Sequence, residues 1–163
     1  MGDGGKIMGL AQQVQQNFNA VVNSGNIRRV VIPAGAPVEV VSDGAAAANA
    51  YAAWVQIVAA GVITDPSWFG GVHIIFNDLE AACYADLQIG FGGAGAEVGY
   101  AEFAYFNELV AGAGIVHPVV THEMRNPIQI GGAPRVAGCI RKSSAASAKG
   151  ITPKVIFYTA VGT

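Results

Sequence analysis

Hydrophobic and polar residues alternate in short segments over most of the chain after residue 26. Alternation of this kind predicts β-strands, because successive side chains of a strand point to opposite faces of a sheet. The segments are rich in β-branched and aromatic residues, and clusters of glycine, proline and serine separate them. The predicted strands are 27–32, 38–43, 54–58, 72–76, 84–91, 97–106, 115–121, 128–130, 135–141 and 153–161.

Short strands that follow one another about every ten residues favour an all-β fold, a β-sandwich or jelly roll. No stretch of linker composition divides the series. We therefore predict one β-sandwich domain over residues 26–163. The small-residue segment 143–150, which contains three serines, is predicted to be a hairpin connection.

Residues 1–25 follow a different pattern, in which apolar positions recur at spacings of three and four. This spacing predicts an amphipathic helix that ends near Gly25, and glutamine and asparagine cover its other side. The helix either packs on its own domain or acts as an arm that docks on another subunit. The candidate partner-binding positions are Ile7, Leu10, Val14, Phe18 and Val21.

Charged residues make up only 12 % of the chain and the net charge is −2, whereas soluble domains average about 25 % charged residues. Mean hydropathy is +0.41. These values exclude a disordered tail, and the sequence lacks the basic excess of a nucleic-acid-binding protein. Two short basic pairs, Arg28-Arg29 and Arg141-Lys142, are interpreted as solvated strand ends or as ion pairs across a subunit interface.

Targeting and membrane signals are weak. The first ten residues are not followed by an apolar signal segment. No charge lies between Asp43 and Asp65, but alanine, asparagine and glutamine in that stretch argue against a membrane span. Cys83 and Cys139 are far apart without a metal or redox motif, so we expect two buried free thiols.

The segment 90–95 fits the pattern G-x-G-x-x-G and follows a predicted strand. A dinucleotide site would need a helix directly after it and an acidic residue about 20 positions later. The sequence that follows has the pattern of β-strands, and the acidic candidate, Glu123, lies too far along the chain. A glycine-rich turn is therefore the preferred interpretation, and dinucleotide binding remains the alternative.

Patterns for catalysis or metal binding are not found. His117 and His122 are five residues apart, which on a strand places them on opposite faces. The sequence has no G-x-S-x-G or H-E-x-x-H motif, and its carboxylates are scattered singly. We expect no enzymatic activity, no cofactor and no metal.

Two passages have more specific sequence patterns. Residues 87–97, LQIGFGGAGAE, form a strand ending in glycines, a small-residue turn and a new strand. Residues 128–144, IQIGGAPRVAGCIRKSS, precede an apolar strand at 155–158. Together they resemble a β-sandwich domain of tailed-bacteriophage virion proteins, in which two arginines flank an alanine before small residues. Arg135, Ala137 and Arg141 take those positions, while the Gly-Gly-Ala-Pro segment at 131–134 and Lys142 depart from the pattern.

The resemblance covers roughly residues 85–160 and implies a structural protein of the virion, made in the host cytoplasm. The favoured role is a capsid decoration protein that contacts the major capsid protein, other virion subunits or its own copies, with no nucleic acid or membrane partner. The alternative is a tail or fibre module that recognises a host surface glycan or protein. For that role, the candidates for sugar stacking are Trp54, Trp68, Phe69 and Tyr100. Core packing is the expected fate of most of them, while Trp68 and Phe69 are predicted on an exposed loop.

Overall fold

The structure is a computed structural model that describes residues 13, 16, 19–20, 27–33, 40–41, 48–63, 67–76, 83–107, 119–132, 134–143 and 150–160. Its strands are Ile27–Ile32 (β1), Val40–Val41 (β2), Val55–Val58 (β3), Ser67–Phe76 (β4), Cys83–Phe91 (β5), Val98–Asn107 (β6), Val119–Ile130 (β7), Val136–Lys142 (β8) and Gly150–Ala160 (β9).

The strands form two antiparallel sheets that face each other. The five-stranded sheet has the order β1-β9-β4-β7, and β2 also pairs with β9. The four-stranded sheet has the order β3-β8-β5-β6. The prediction of an all-β, sandwich-like fold is confirmed.

The core lies between the sheets because each strand turns alternate residues inward. In β5, Ala85, Leu87, Ile89 and Phe91 are buried while the residues between them face outward. Phe69 of β4 is fully buried at the centre. Its ring centroid lies 5.5 Å from that of Phe91, 6.4 Å from Phe103 and 5.7 Å from Phe157. The core thus joins both sheets through one aromatic cluster.

The glycine-rich segment connects β5 to β6 as a tight turn. Gly92 and Gly95 have φ values of +141° and +78°, which favour glycine. The next element is the strand Val98–Asn107, so the helix N-terminus that a dinucleotide site requires does not follow the glycines. The interpretation as a turn is confirmed.

Strand β4 is longer than predicted, and this corrects the placement of two candidate residues. Trp68 and Phe69 were expected on an exposed loop but lie within β4, with exposed fractions of 3 % and 0 %. The glycines that follow them do not end the strand. A Cβ at Gly70 would collide with the Tyr158 ring, and one at Gly71 would collide with the backbone of β7. The glycine pair therefore serves close packing inside the sheet.

Two other connections differ from the predictions. The predicted strands 115–121 and 128–130 belong to one twelve-residue strand, β7. Pro127 is accommodated in it because residues 124–127 have no register partner in β4, and β7 is an edge strand of the described part of the sheet. Residues 143–150 do not connect a hairpin, since β8 and β9 belong to different sheets.

The predicted N-terminal arm falls mostly outside the described residues. Gln13, Gln16, Asn19 and Ala20 are helical and exposed, and the amphipathic arm over residues 1–25 stays a prediction. The apolar positions Ile7, Leu10, Val14, Phe18 and Val21 lie outside the described residues. Among the described residues, no helix is long and apolar enough to cross a membrane.

Candidate functional site

The first arginine of the phage-like pattern, Arg135, sits in a nearly closed site at the start of β8. Its Nη1 donates to Glu97 Oε1, and its Nε donates to Gln56 Oε1 over 3.0 Å. The exposed fractions of the two charged side chains are 13 % for Arg135 and 3 % for Glu97. The backbone carbonyl of Arg135 also accepts from Gly92 N at 3.2 Å. Arg135 therefore ties β8 and the β5–β6 turn to β3.

The second arginine, Arg141, lies on the outer face of the four-stranded sheet. Its Nε donates to Asp86 Oδ2 over 2.6 Å and its Nη2 to Glu102 Oε1 over 2.8 Å. The register explains this geometry, because Arg141 is directly opposite Asp86 and Glu102 lies on the next strand. The guanidinium carbon is 4.9 Å from the centre of the Tyr51 ring. One cation thus joins three strands and the segment before β3.

Electrostatic conditions in this cluster favour fixed protonation states. The hydrogen bond to Asp86 raises the pKa of Arg141. Burial raises the pKa of Tyr51 above its usual range, and the neighbouring Glu102 adds to the effect while Arg141 opposes it. The cluster therefore holds a permanent cation between two carboxylates and a neutral phenol, which is suited to bracing rather than to proton transfer.

Cys139 lies beside this cluster as a free, buried thiol with an exposed fraction of 2 %. Its Sγ is 3.7 Å from Gln88 Oε1. Burial, and secondarily Glu102, raises the pKa of Cys139 from 9.0 to about 11. The prediction of a buried free thiol is confirmed for Cys139, and the side chain of Cys83 lies outside the described residues.

These groups predict an alkaline loss of stability. A thiol that keeps its proton in the folded state contributes stability that is fully present below pH 9.0 and is lost as the pH rises to about 11. Burial raises the pKa of Tyr51 and Tyr158 in the same direction. We expect the melting temperature to fall over this range, and to fall less steeply in Cys139→Ala, as measured by thermal melts at stepped pH. Equal slopes in the two proteins would contradict the assignment.

A third ion pair crosses the outer face of the five-stranded sheet. Arg29 Nη2 of β1 lies 2.7 Å from Glu123 Oε1 of β7, and Tyr158 Oη donates to Glu123 Oε2 over 3.3 Å. Two strands, β9 and β4, separate β1 from β7. The side chains meet over the glycine pair 70–71, where β4 has no side chain to block them. Both charged groups are nearly half exposed, so this pair is weaker than that of Arg135.

The remaining candidate residues are placed as follows. Trp68 and Phe69 present no face to an external ligand as packed here. Trp54 covers Gly90 on the outer face of the four-stranded sheet, whereas Tyr100 is 55 % exposed.

His73 Nδ1 is 2.7 Å from Thr121 Oγ1, and His117 lies outside the described residues. Within the described part of the chain, no cluster of ligating side chains could hold a metal ion.

A cavity of about 260 Å³ opens between the start of β6 and the end of β7. It is lined by Phe91, Gly92, Val98, Tyr100, Ile128, Gln129, Ile130, Gly131 and Pro134. A register shift between β5 and β6 leaves Tyr100 without a partner in β5 and directs its ring against Phe91, with centroids 5.2 Å apart. Sequence reasoning named Tyr100 but not the cavity, because the cavity joins residues about 30 positions apart.

Comparisons with known proteins give one structural likeness. No protein family matches the sequence, and no curated protein matches it. A chain in the structure of infectious bursal disease virus, Gx strain, is similar over 84 % of this chain, with a TM-score of 0.40 and 11 % identity. The match spans 32 % of that chain. A likeness of this size does not assign a role.

Proposed function

We propose that the chain is a structural subunit of a virus particle, and specifically a capsid decoration protein of a tailed bacteriophage. In this role it stabilises the shell by contacts with the major capsid protein, with other virion subunits or with its own copies. The observation that carries the proposal is the use of charge. Among the described residues, seven of the eleven charged side chains form ion pairs with one another, while large apolar side chains and a long edge strand are exposed.

Most charges of the described residues are engaged across strands. The three ion-pair groups of Arg29, Arg135 and Arg141 each join strands that are distant in sequence. In the described part of the chain, the exposed large apolar residues are Val62, Tyr84, Val98, Tyr100 and Val119, each more than half exposed. A soluble monomer normally separates such residues with charges, whereas an assembly subunit covers them with its neighbours.

The phage-like passages support the same role through architecture. Arg135 and Arg141 both brace β8 against the β5–β6 pair, so the pattern that carries the resemblance is a structural one. We also propose a role without catalysis or cofactor. The carboxylates of Glu97, Asp86 and Glu102 are each bonded to an arginine, so these groups serve as braces between strands.

The alternative, a tail or fibre module that binds a glycan, is favoured by one observation. Tyr100 offers a half-exposed ring beside the cavity, and the amide of Gln129 lies in the same wall. An aromatic face next to an amide suits a sugar ring. Glycan-array binding that disappears in Tyr100→Ala would favour this alternative over decoration.

The decoration role predicts the composition of the particle. We expect quantitative mass spectrometry of purified virions to find the chain in many copies. A handful of copies would indicate the tail, and complete absence would contradict the virion role.

If the N-terminal arm grips the shell, deletion of residues 1–25 is expected to abolish particle binding while the β domain remains folded by circular dichroism. Retained binding would exclude the arm from the mechanism.

A further inference from the structure

One side of the sandwich consists of two long edge strands, and we call it the β6–β7 side. β6 is the last strand of the four-stranded sheet and β7 the last strand of the five-stranded sheet, among the described residues. The two strands lie close together in the molecule. Val98 and Ile128 line one cavity, and the ring centroids of Phe103 and His122 are 6.1 Å apart.

The opposite side is protected against pairing with another chain. β1 carries Arg28 and Arg29, and β3 has only four residues and an irregular register. Charges, short strands and bulges are the usual means of blocking an edge. β6 has ten residues, no proline and one charge, Glu102, and its register irregularity is confined to Tyr100 near its start. β7 pairs regularly with β4 over residues 119–123, has no register partner over 124–127, and carries Pro127 in that break.

The contacts between β6 and β7 fix the relative direction of the two strands and their relative height, that is, which residues lie level along the strand axis. The start of β6 lies by the end of β7, since Tyr100 and Ile128 line the same cavity. Further along β6, Phe103 contacts His122, which precedes Ile128. The strands are therefore antiparallel. On β6, Glu102 lies between Tyr100 and Phe103, so it is level with the part of β7 between Ile128 and His122. That part contains Arg125 and includes residues 124–127, which have no register partner in β4.

Glu102 and Arg125 both lie on the outer faces of their sheets. The neighbours of Glu102 in β6, Ala101 and Phe103, pack against the core, and so does Met124 beside Arg125. Glu102 and Asp86 share the single cation Arg141, which leaves one negative charge in excess. Arg125 is exposed and has no carboxylate within ion-pair distance among the described residues.

We propose that a second copy of this chain docks on the β6–β7 side, around a two-fold axis parallel to the strands. Rotation about this axis changes neither the direction of a strand nor the position of a residue along the axis. β6 of each copy therefore pairs antiparallel with β7 of the other. It also aligns the four-stranded sheet of one copy with the five-stranded sheet of the other. Glu102 then faces Arg125 of the second copy on the same outer surface, and the contact occurs twice.

The arrangement also covers what the free chain leaves open. The backbone N–H and C=O groups along β6 gain partners, as in strand addition to a sheet edge. The exposed Val98 and Tyr100 come to the height of Ile128 of the second copy, so apolar surface meets apolar surface. The inference rests on the proposal that the chain is an assembly subunit, and it names the subunit contact.

Charge reversal in the full chain tests this geometry. Sedimentation equilibrium of the unaltered protein is expected to show a dimer. Arg125→Glu and Glu102→Lys each place two like-charge contacts in the dimer, and we expect each to raise the dimer Kd by at least about tenfold. An equimolar mixture of the two variants restores both contacts as opposite pairs. Native mass spectrometry should therefore show the mixed dimer in excess over either homodimer.

The control is Arg28→Glu, which makes the same charge change on the opposite side and should leave the dimer intact. If Glu102→Lys does not fold because it loses Arg141, Arg125→Glu alone decides, since Arg125 makes no ion pair among the described residues. A monomeric unaltered protein, or unchanged dimerisation in Arg125→Glu, would overturn the inference. A dimer that is missing from virions would instead overturn the proposed function and leave the dimer contact standing.

Discussion

Replacing Arg135 with alanine is expected to lower the free energy of unfolding by about 3–5 kcal/mol. The Glu97 side chain is only 3 % exposed and Arg135 is its ion-pair partner, so truncation leaves a buried carboxylate without compensation. Breaking a buried pair by removing one partner carries a cost of this size because the remaining charge stays out of water. Urea denaturation of both proteins, with the slope of unfolding against urea compared, measures the change.

Arg29→Ala is the matched control for that experiment. It removes the same kind of charge from an ion pair with a glutamate, but Arg29 and Glu123 are 43 % and 45 % exposed. Exposed pairs contribute about 0–1 kcal/mol, so we expect a loss within that range. A similar loss in the two variants would show that burial does not set the strength of the Arg135 pair.

A double replacement separates the strength of the pair from the cost of an isolated charge. Arg135→Met combined with Glu97→Leu removes both charges and keeps apolar volume at the site. Replacing a buried pair by packed hydrophobic residues is often neutral or stabilising. We therefore expect the double variant to be more stable than Arg135→Ala. If it is equally unstable, the geometry around Gln56 and the β5–β6 turn, rather than the buried charge, is what Arg135 maintains.

The ion pairs show why part of the site could not be predicted from the sequence. Arg135 and Glu97 are 38 residues apart, Arg141 and Asp86 are 55 apart, and Arg29 and Glu123 are 94 apart. Spacing rules report neighbours on one strand or helix, and these partners meet only through the order of strands in the sheets. Carboxylates that are scattered along the chain are thus gathered by arginines from other strands.

The alternation of β5 illustrates what the sequence did predict. Its inward residues are apolar and its outward residues, Asp86 and Gln88, are polar, so the pattern defined both the strand and its buried face. The start of β4 was not predicted because Gly70 and Gly71 resemble the glycines of a turn. Glycine is required at these two positions because Tyr158 and the backbone of β7, which are distant in sequence, approach them closely. Alternation also assigns faces without assigning sheets, which is why 143–150 was mistaken for a hairpin.

Replacing Phe69 with alanine is expected to destabilise the sandwich by about 3–5 kcal/mol, the usual range for a buried phenylalanine. Phe69 is fully buried, and its ring contacts those of Phe91 and Phe103 from the other sheet and Phe157 from its own. Truncation therefore removes apolar burial and opens a cavity between the sheets. Chemical denaturation measures the loss, and Phe69→Leu should lose less because it leaves a smaller cavity.

Tyr84→Ala is the control for an aromatic truncation without burial. Tyr84 is 64 % exposed, so we expect a change within about 0.5 kcal/mol. The comparison also tests the corrected position of Phe69. On an exposed loop, as its flanking proline and glycine first indicated, its truncation would cost no more than that of Tyr84. A loss of several kcal/mol instead requires that Phe69 joins the two sheets, because only a residue packed between them leaves a cavity when it is truncated.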